Sequence, residues 1–221
     1  MKSVLVTAGA TMVPIDNVRA ITNIFKGRTG ANIARHFAQQ GWDVTLITSN
    51  PSLSEGKSTG NMSIVPYHTY DELFSAMQLR ICPEAKYDAI IHSAAVSDYR
   101  VEGTYVYKPQ AGMQPVDSKG KIPSSFEELF LRLLPTRKII DLIREPWGYK
   151  GYLTKFKLQT MMDDSQLLKI AEESRVHSKA EMIVANCLEW SNERAFVITE
   201  GRAVSVARAN LPESILKEMG L

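Results

Sequence analysis

Val4-Leu5-Val6-Thr7-Ala8-Gly9-Ala10-Thr11, and Lys26-Gly27-Arg28-Thr29-Gly30 shortly after it, decide the fold. The first is an apolar, β-branched run of strand length that ends in small residues. The second sets two glycines at the mouth of the amphipathic segment Thr29 to Gln40. Glycine lets backbone N–H groups approach an anion closely, and a helix N-terminus adds about half a positive charge, so the loop suits a phosphate. Lys26 and Arg28 strengthen that field. The same glycines also serve a plain tight turn that packs helix on sheet. A nicotinamide site asks for more, namely G-x-G-x-x-G directly after the strand and an acid about 20 residues on. Here Ala10 and Thr11 follow Gly9, and the second strand, Asp43 to Thr48, runs into Ser49-Asn50-Pro51 with no carboxylate for a ribose.

Outward from this loop, strand and helix signals alternate. Ser3 to Ala8, Asp43 to Thr48, Met62 to Tyr67 and Ala89 to Ser93 read as strands, with helices over Thr29 to Gln40 and Tyr70 to Cys82. This rhythm predicts a doubly wound, Rossmann-like α/β fold, a mostly parallel sheet with helices on both faces, as one domain over residues 1–221. Ligands on such sheets bind beyond the carboxyl ends of the strands, which gathers Gly9 to Gly30, Thr48 to Asn50 and Ser93 to Arg100 around one crevice. Tyr99 to Pro123 carries glycines, prolines and lysines without apolar periodicity and is expected to be a long mobile loop or flap. Ser124 to Glu128 resembles a helix capping box, while Leu129, Leu131 and Leu133 alternate as in a strand, and both readings stand. Further on, Thr136 is expected to cap a helix through Arg144, Tyr152 to Leu158 to form a strand, and Asp163-Asp164 to start an amphipathic helix. Met182 to Ala185 reads as a buried strand, Ala195 to Thr199 and Ala203 to Ala207 as a C-terminal hairpin, and Asn210 with Pro212 as the cap of a last helix.

With 221 residues, 44% hydrophobic and 23% charged, the chain can bury one sizeable core. A net charge of +2 with no long basic run argues against a nucleic-acid partner. Cys82 and Cys187 lie far apart without metal-ligand spacing, so they are expected as structural thiols in a reducing compartment, and no metal site is expected of the protein's own side chains. Apolar runs stay far below the ~20 residues of a bilayer span and nothing reads as a signal peptide, so the expectation is a cytoplasmic protein with no membrane partner.

Several motifs together resemble the phosphopantothenoylcysteine synthetases (phosphopantothenate-cysteine ligases) of coenzyme A biosynthesis, in a stand-alone form. They are Thr7-Ala8-Gly9-Ala10-Thr11, Asp16-Asn17-Val18-Arg19, Thr22-Asn23, Ala94-Ala95-Val96-Ser97-Asp98-Tyr99, Lys121-Ile122, Lys155-Phe156 and Val184-Ala185-Asn186. Their order and spacing over nearly the whole chain are specific where no single one is. The resemblance implies a two-step ligation. The carboxylate of 4′-phosphopantothenate attacks the α-phosphorus of CTP or ATP, supplied with Mg²⁺, pyrophosphate leaves, and the cysteine amine captures the acyl nucleotide. It also implies a homodimer.

By the same resemblance Asn23 and Lys121 are the catalytic residues, Asn23 for the cysteine step and Lys121, on the flap, for the phosphate charge of the first. Arg19, Asn23, Lys26, Gly27 and Arg28 would meet the acid substrate. Gly9, Thr11, Ala94, Ala95, Asp98, Lys121, Arg137, Lys138, Ile139, Ile140 and Phe156 would meet the nucleotide. The chain departs from the family at Ile24-Phe25-Lys26-Gly27, where Ser-Ser-Gly is usual, at Lys155 for a glycine, at Arg137 for a proline, and at Cys187 for an aspartate. Glu173 and His177 stand where lysines usually face the triphosphate, and Arg175, Lys179, Lys155 or Lys157 could substitute. These departures keep open a paralogue that binds nucleotide or pantothenate without turnover. A nicotinamide- or flavin-dependent reductase is the remaining alternative, set against the missing fingerprint.

Overall fold

A strand whose every side chain is apolar can be buried only if both faces of its sheet are covered, and that requirement organises the chain. The computed structural model describes residues 1–54, 60–82 and 87–221. They run through β1 (Ser3–Ala8), the short ribbon β2 (Met12–Pro14) and β3 (Ala20–Thr22), α1 (Arg28–Gln39), β4 (Asp43–Thr48), β5 (Met62–Pro66), α2 (Tyr70–Ile81) and β6 (Ala89–His92). They continue with β7 (Tyr99–Lys108), β8 (Gly112–Val116), β9 (Phe130–Pro135), α3 (Ile139–Arg144), β10 (Tyr152–Gln159), α4 (Asp164–His177) and β11 (Met182–Cys187). Last come β12 (Arg194–Thr199), β13 (Arg202–Ala207) and α5 (Leu211–Met219).

Eight strands form the main sheet in the order β13-β12-β11-β10-β6-β1-β4-β5. The pairs from β5 across to β11 are parallel, and β12 alone runs against the rest, pairing antiparallel with both β11 and β13. Side chains of β1 alternate between two layers, as the period of two requires. Val4, Val6 and Ala8 pack with Ile33, Ala34 and Phe37 of α1 and with Leu211 and Ile215 of α5. Leu5 faces the other way, into Leu73 and Met77 of α2 and Ile139 and Ile143 of α3. A third cluster joins Leu167 and Ala171 of α4 to Ile183 and Ala185 of β11, with Cys187 buried inside it.

The chain winds from β1 to β4 and β5 on one side, then returns through α2 to β6 on the other. β1 and β6 therefore form the topological switch point, and the loops leaving them diverge to open a crevice beyond Gly9 and Ser93.

Two expectations need correction. Tyr99 to Pro123 is not an irregular loop: β7 pairs antiparallel with β8, and β9 joins the other edge to give a three-stranded flap sheet. The apolar pattern is thin because the flap is covered so little that only Thr104 and Val106 of β7 are buried. Leu131 and Leu133 thus alternate within a strand that begins one residue after Leu129, and Ser124 to Glu128 starts no helix. Thr136 caps nothing. Its hydroxyl donates to the Ser97 carbonyl at 2.6 Å, and α3 begins at Ile139 behind Lys138. Among the described residues no helix is long and apolar enough to cross a membrane.

Candidate active site

Gly9 and Gly27 build the floor of the crevice. Both hold positive φ, 91° and 83°, and a Cβ on Gly27 would lie 2.6 Å from the Gly9 nitrogen. The turn after β1 and the start of α1 are therefore in backbone contact, which a side chain at position 27 would break, while a Cβ on Gly9 would collide with Ser49. Ser49, from the end of β4, accepts the Ala10 N–H at 3.0 Å and stiffens the turn. The first turn of α1 carries no acidic residue of its own to neutralise its positive end.

Two cavities meet there. The larger, about 470 Å³, is lined by Gly9, Lys26, Gly27, Arg28, Ala94, Ala95 and Phe156, and also by Phe25, Asn186, Asn192 and Arg208. That volume lies in the ordinary range of small-molecule sites. The smaller, about 190 Å³, is lined by Asp98, Arg137, Lys138, Ile139, Ile140 and Phe156, together with His92, Lys155 and Lys157. Ala94 and Phe156 belong to both, so the cavities are compartments of one crevice. The structure thus gathers most of the residues singled out in the sequence.

It leaves four outside either lining. Asn23 sits at the rim, its Nδ2 donating to the Ala95 carbonyl at 3.0 Å, one residue beyond the shared wall at Ala94. Thr11 is wholly buried and its hydroxyl accepts the Ser97 N–H at 2.8 Å, so it braces the wall instead of presenting a group to a ligand. Arg19 pairs with Asp16 at 2.6 Å and donates to the Ile122 carbonyl at 2.7 Å. The Ile122 N–H in turn donates to Asp16 at 3.0 Å, and Asn17 donates to the Lys119 carbonyl at 2.6 Å. The Asp16-to-Arg19 turn therefore anchors the root of the flap. Lys121 is exposed within that anchored segment. The Arg19 guanidinium and the Ile122 amide hold the Asp16 carboxyl well below the usual carboxylate range.

The smaller cavity has a charged floor built from two adjacent strands. Lys155, 7% exposed, lies in register with His92 on the adjacent strand. Its Nζ donates to the Ser174 carbonyl at 3.1 Å and to Ser178 Oγ. Burial pushes this ammonium down to about 8, against the counteracting pull of Asp141. Burial, and then Lys155, push His92 down to about 4, so its ring is neutral at pH 7 with Nδ1 2.8 Å from the Thr7 hydroxyl. The other substitutes for the missing helix lysines are engaged elsewhere. Arg175 is paired with Glu172, Lys179 with Glu145, and His177 lies against Asp141. Lys155 and Lys157 are the ones that reach the crevice.

Phe25, Thr29 and Asn186 lie within stretches already singled out in the sequence, though not as site residues. Arg208 and Asn192 could not, since they come from the C-terminal strands and their loop with no motif around them. Among the described residues no group of three His, Cys, Asp or Glu could hold a metal ion.

A glycine-floored, cation-lined crevice at the switch point of a doubly wound sheet places the chain among α/β proteins of the Rossmann-like class. Residues 1–219 match the DNA/pantothenate metabolism flavoprotein C-terminal domain, and the chain belongs to that family. The coenzyme A biosynthesis bifunctional protein CoaBC of Thermococcus kodakarensis is 34% identical over 205 residues, 91% of this chain and 45% of that protein. The phosphopantothenate-cysteine ligase CAB2 of Saccharomyces cerevisiae is 24% identical over 274 residues, covering 99% of this chain and 74% of the yeast protein. Among solved structures, the DNA/pantothenate metabolism flavoprotein from Streptococcus pneumoniae superposes with a TM-score of 0.84 at 29% identity, over 100% of this chain and 98% of its own. The chain spans less than half the length of the CoaBC proteins it matches, 45% and 40% for the two archaeal ones.

Proposed function

We propose that this chain joins 4′-phosphopantothenate to cysteine through an acyl-nucleotide intermediate, at the expense of CTP or ATP. The observation that carries the reading is the two-compartment crevice, in which a glycine-built anion loop and a second, cation-lined pocket share the wall residues Ala94 and Phe156. Family membership and the names of the yeast and archaeal relatives support the substrate pair.

In the first step the substrate carboxylate attacks the α-phosphorus, forming the acyl–phosphate bond as the bond to pyrophosphate breaks. Lys26, Arg28 and Lys155 offset the phosphate charge, and Lys121 closes over it with the flap. In the second, the cysteine amine attacks the acyl carbon, the nucleoside monophosphate leaves, and the amine proton passes to solvent. Asn23 holds the acyl group against Ala95 for that attack. Such chemistry needs positioning and electrostatic stabilisation more than covalent help. Mg²⁺ brought in on the nucleotide's phosphates would neutralise part of the polyphosphate charge, beside Lys26, Arg28 and Lys155.

A homodimer completes the reading. Val18, Ile21 and Ile24 on and beside the β2–β3 ribbon are exposed, as are Phe130 and Leu133 of the flap sheet, an apolar surface that suits a second copy. Light scattering after gel filtration should give twice the chain mass.

The deciding assay incubates the protein with CTP or ATP, Mg²⁺, phosphopantothenate and cysteine. Pyrophosphate should be released only when phosphopantothenate is present, and phosphopantothenoylcysteine should appear by mass spectrometry. No release with any nucleotide removes the ligase reading, and substrate binding measured alongside it would establish the non-catalytic paralogue.

A further inference from the structure

Arg208 is a cation whose surroundings among the described residues do not balance its charge. It follows β13, far from every motif, yet one guanidinium nitrogen donates to the Thr29 hydroxyl in the first turn of α1. A second, Nη1, is buried with no hydrogen-bond partner. Arg208 forms no ion pair among the described residues, and neither does Arg28.

Both arginines stand at a junction. A third cavity of about 440 Å³ lies beside the larger one, and Arg28, Thr29, Asn192 and Arg208 line the two alike. Arg35 and His36 add positive or protonatable groups on the far side, and no carboxylate lines either compartment. Withdrawing a guanidinium from water without a counter-charge is unfavourable, and burial does push Arg208 below its ordinary pKa. The arrangement is offset when an anion enters. The forked donors of arginine match a phosphoryl group in geometry as well as charge, and Thr29 and Asn192 supply neutral donors beside them.

We infer that Arg208, with Arg28, Thr29 and Asn192, forms a phosphoryl-binding clamp at the junction of these two cavities, holding the terminal phosphate of a substrate that lies along the crevice. The clamp stands on the cavities alone. Naming its sources rests on the ligase reading, under which the phosphate is either the polyphosphate end of the nucleotide or the monoester of phosphopantothenate.

Titration calorimetry without turnover tests it, using inorganic pyrophosphate, CTP against CMP, ATP against AMP, and phosphopantothenate against pantothenate. Arg208→Ala should weaken the phosphorylated ligand of at least one pair about tenfold or more while its less phosphorylated counterpart changes little. A loss confined to pyrophosphate and the triphosphates assigns the clamp to the nucleotide. A loss confined to phosphopantothenate assigns it to the acid substrate. Arg208→Lys keeps the charge and reaches the same space without the fork, so it should fold as the wild type does and recover only part of the affinity. If the wild type binds none of the phosphorylated probes, or if both variants bind every probe within twofold of wild type or weaken the members of each pair equally, the clamp is wrong. These readouts need no catalysis, so a protein that releases no pyrophosphate can still confirm or overturn the site.

Discussion

Asn23 and Lys121 are on separate elements and should act on separate charges. In the proposed reaction Lys121 is brought to the α-phosphate by the flap, so Lys121→Ala would remove a charged contact that costs on the order of 2 to 4 kcal/mol of transition-state stabilisation, or roughly 30- to 1,000-fold in rate. Pyrophosphate release should fall by that factor. Asn23→Asp keeps the shape but sets a negative charge beside the acyl phosphate, so activation should persist while the acyl nucleotide accumulates in quenched samples. Equal loss of pyrophosphate release in both variants would contradict the division of labour. Lys155 gives a second check. With its ammonium near 8, it is mostly charged at pH 7 and neutral well above 8. The KM for nucleotide should therefore rise as pH passes through about 8, and Lys155→Met should start high and lose that limb. A wild-type KM flat from pH 7 to 9 would take Lys155 out of nucleotide binding.

The flap is a three-stranded sheet whose root is held by a turn one hundred residues earlier. Arg19 and Asp16 bind the backbone on both sides of Ile122, so they fix where Lys121 can go. Arg19→Ala removes the guanidinium's bonds to Asp16 and to the Ile122 carbonyl. Hydrogen exchange at the Ile122 amide should accelerate, and pyrophosphate release should drop with little change in melting temperature, because the main core is untouched. Faster exchange with unchanged turnover would mean that Lys121 is not positioned by this anchor. The same element shows where pattern reading stops. The flap's strands pair with each other and cover little, so selection for an apolar face is weak and β7 reads as a loop. β1, buried on both faces, is unmistakable from its composition. Thr136 misled for a related reason, since a hydroxyl before a helix also satisfies whatever carbonyl the fold brings within reach, here Ser97.

Across the molecule, the sheet buries His92 at the carboxyl end of β6, and this couples the stability of the fold to pH. Its folded-state pKa near 4 lies below the ordinary 6.5, so unfolding takes up a proton between those values. The stabilisation is complete above pH 6.5 and is lost as pH falls toward 4, by on the order of 3 kcal/mol from this group. The urea midpoint should fall between pH 7 and pH 4.5, and His92→Gln should lose less over that interval. An equal loss in the variant would show that other groups carry the acid sensitivity. The sequence alone determined the alternating β and α units, the glycine-built loop and the family, because burial periodicity and close backbone approach are local demands written into consecutive residues. Tertiary structure alone decided that Lys155 and not Arg175 or Lys179 reaches the crevice, that Asp16 and Arg19 serve the flap, and that Arg208 meets Thr29. Each of those pairs residues from distant parts of the chain, and only the packing of the sheet brings them within the few ångströms over which charge and hydrogen bonds act.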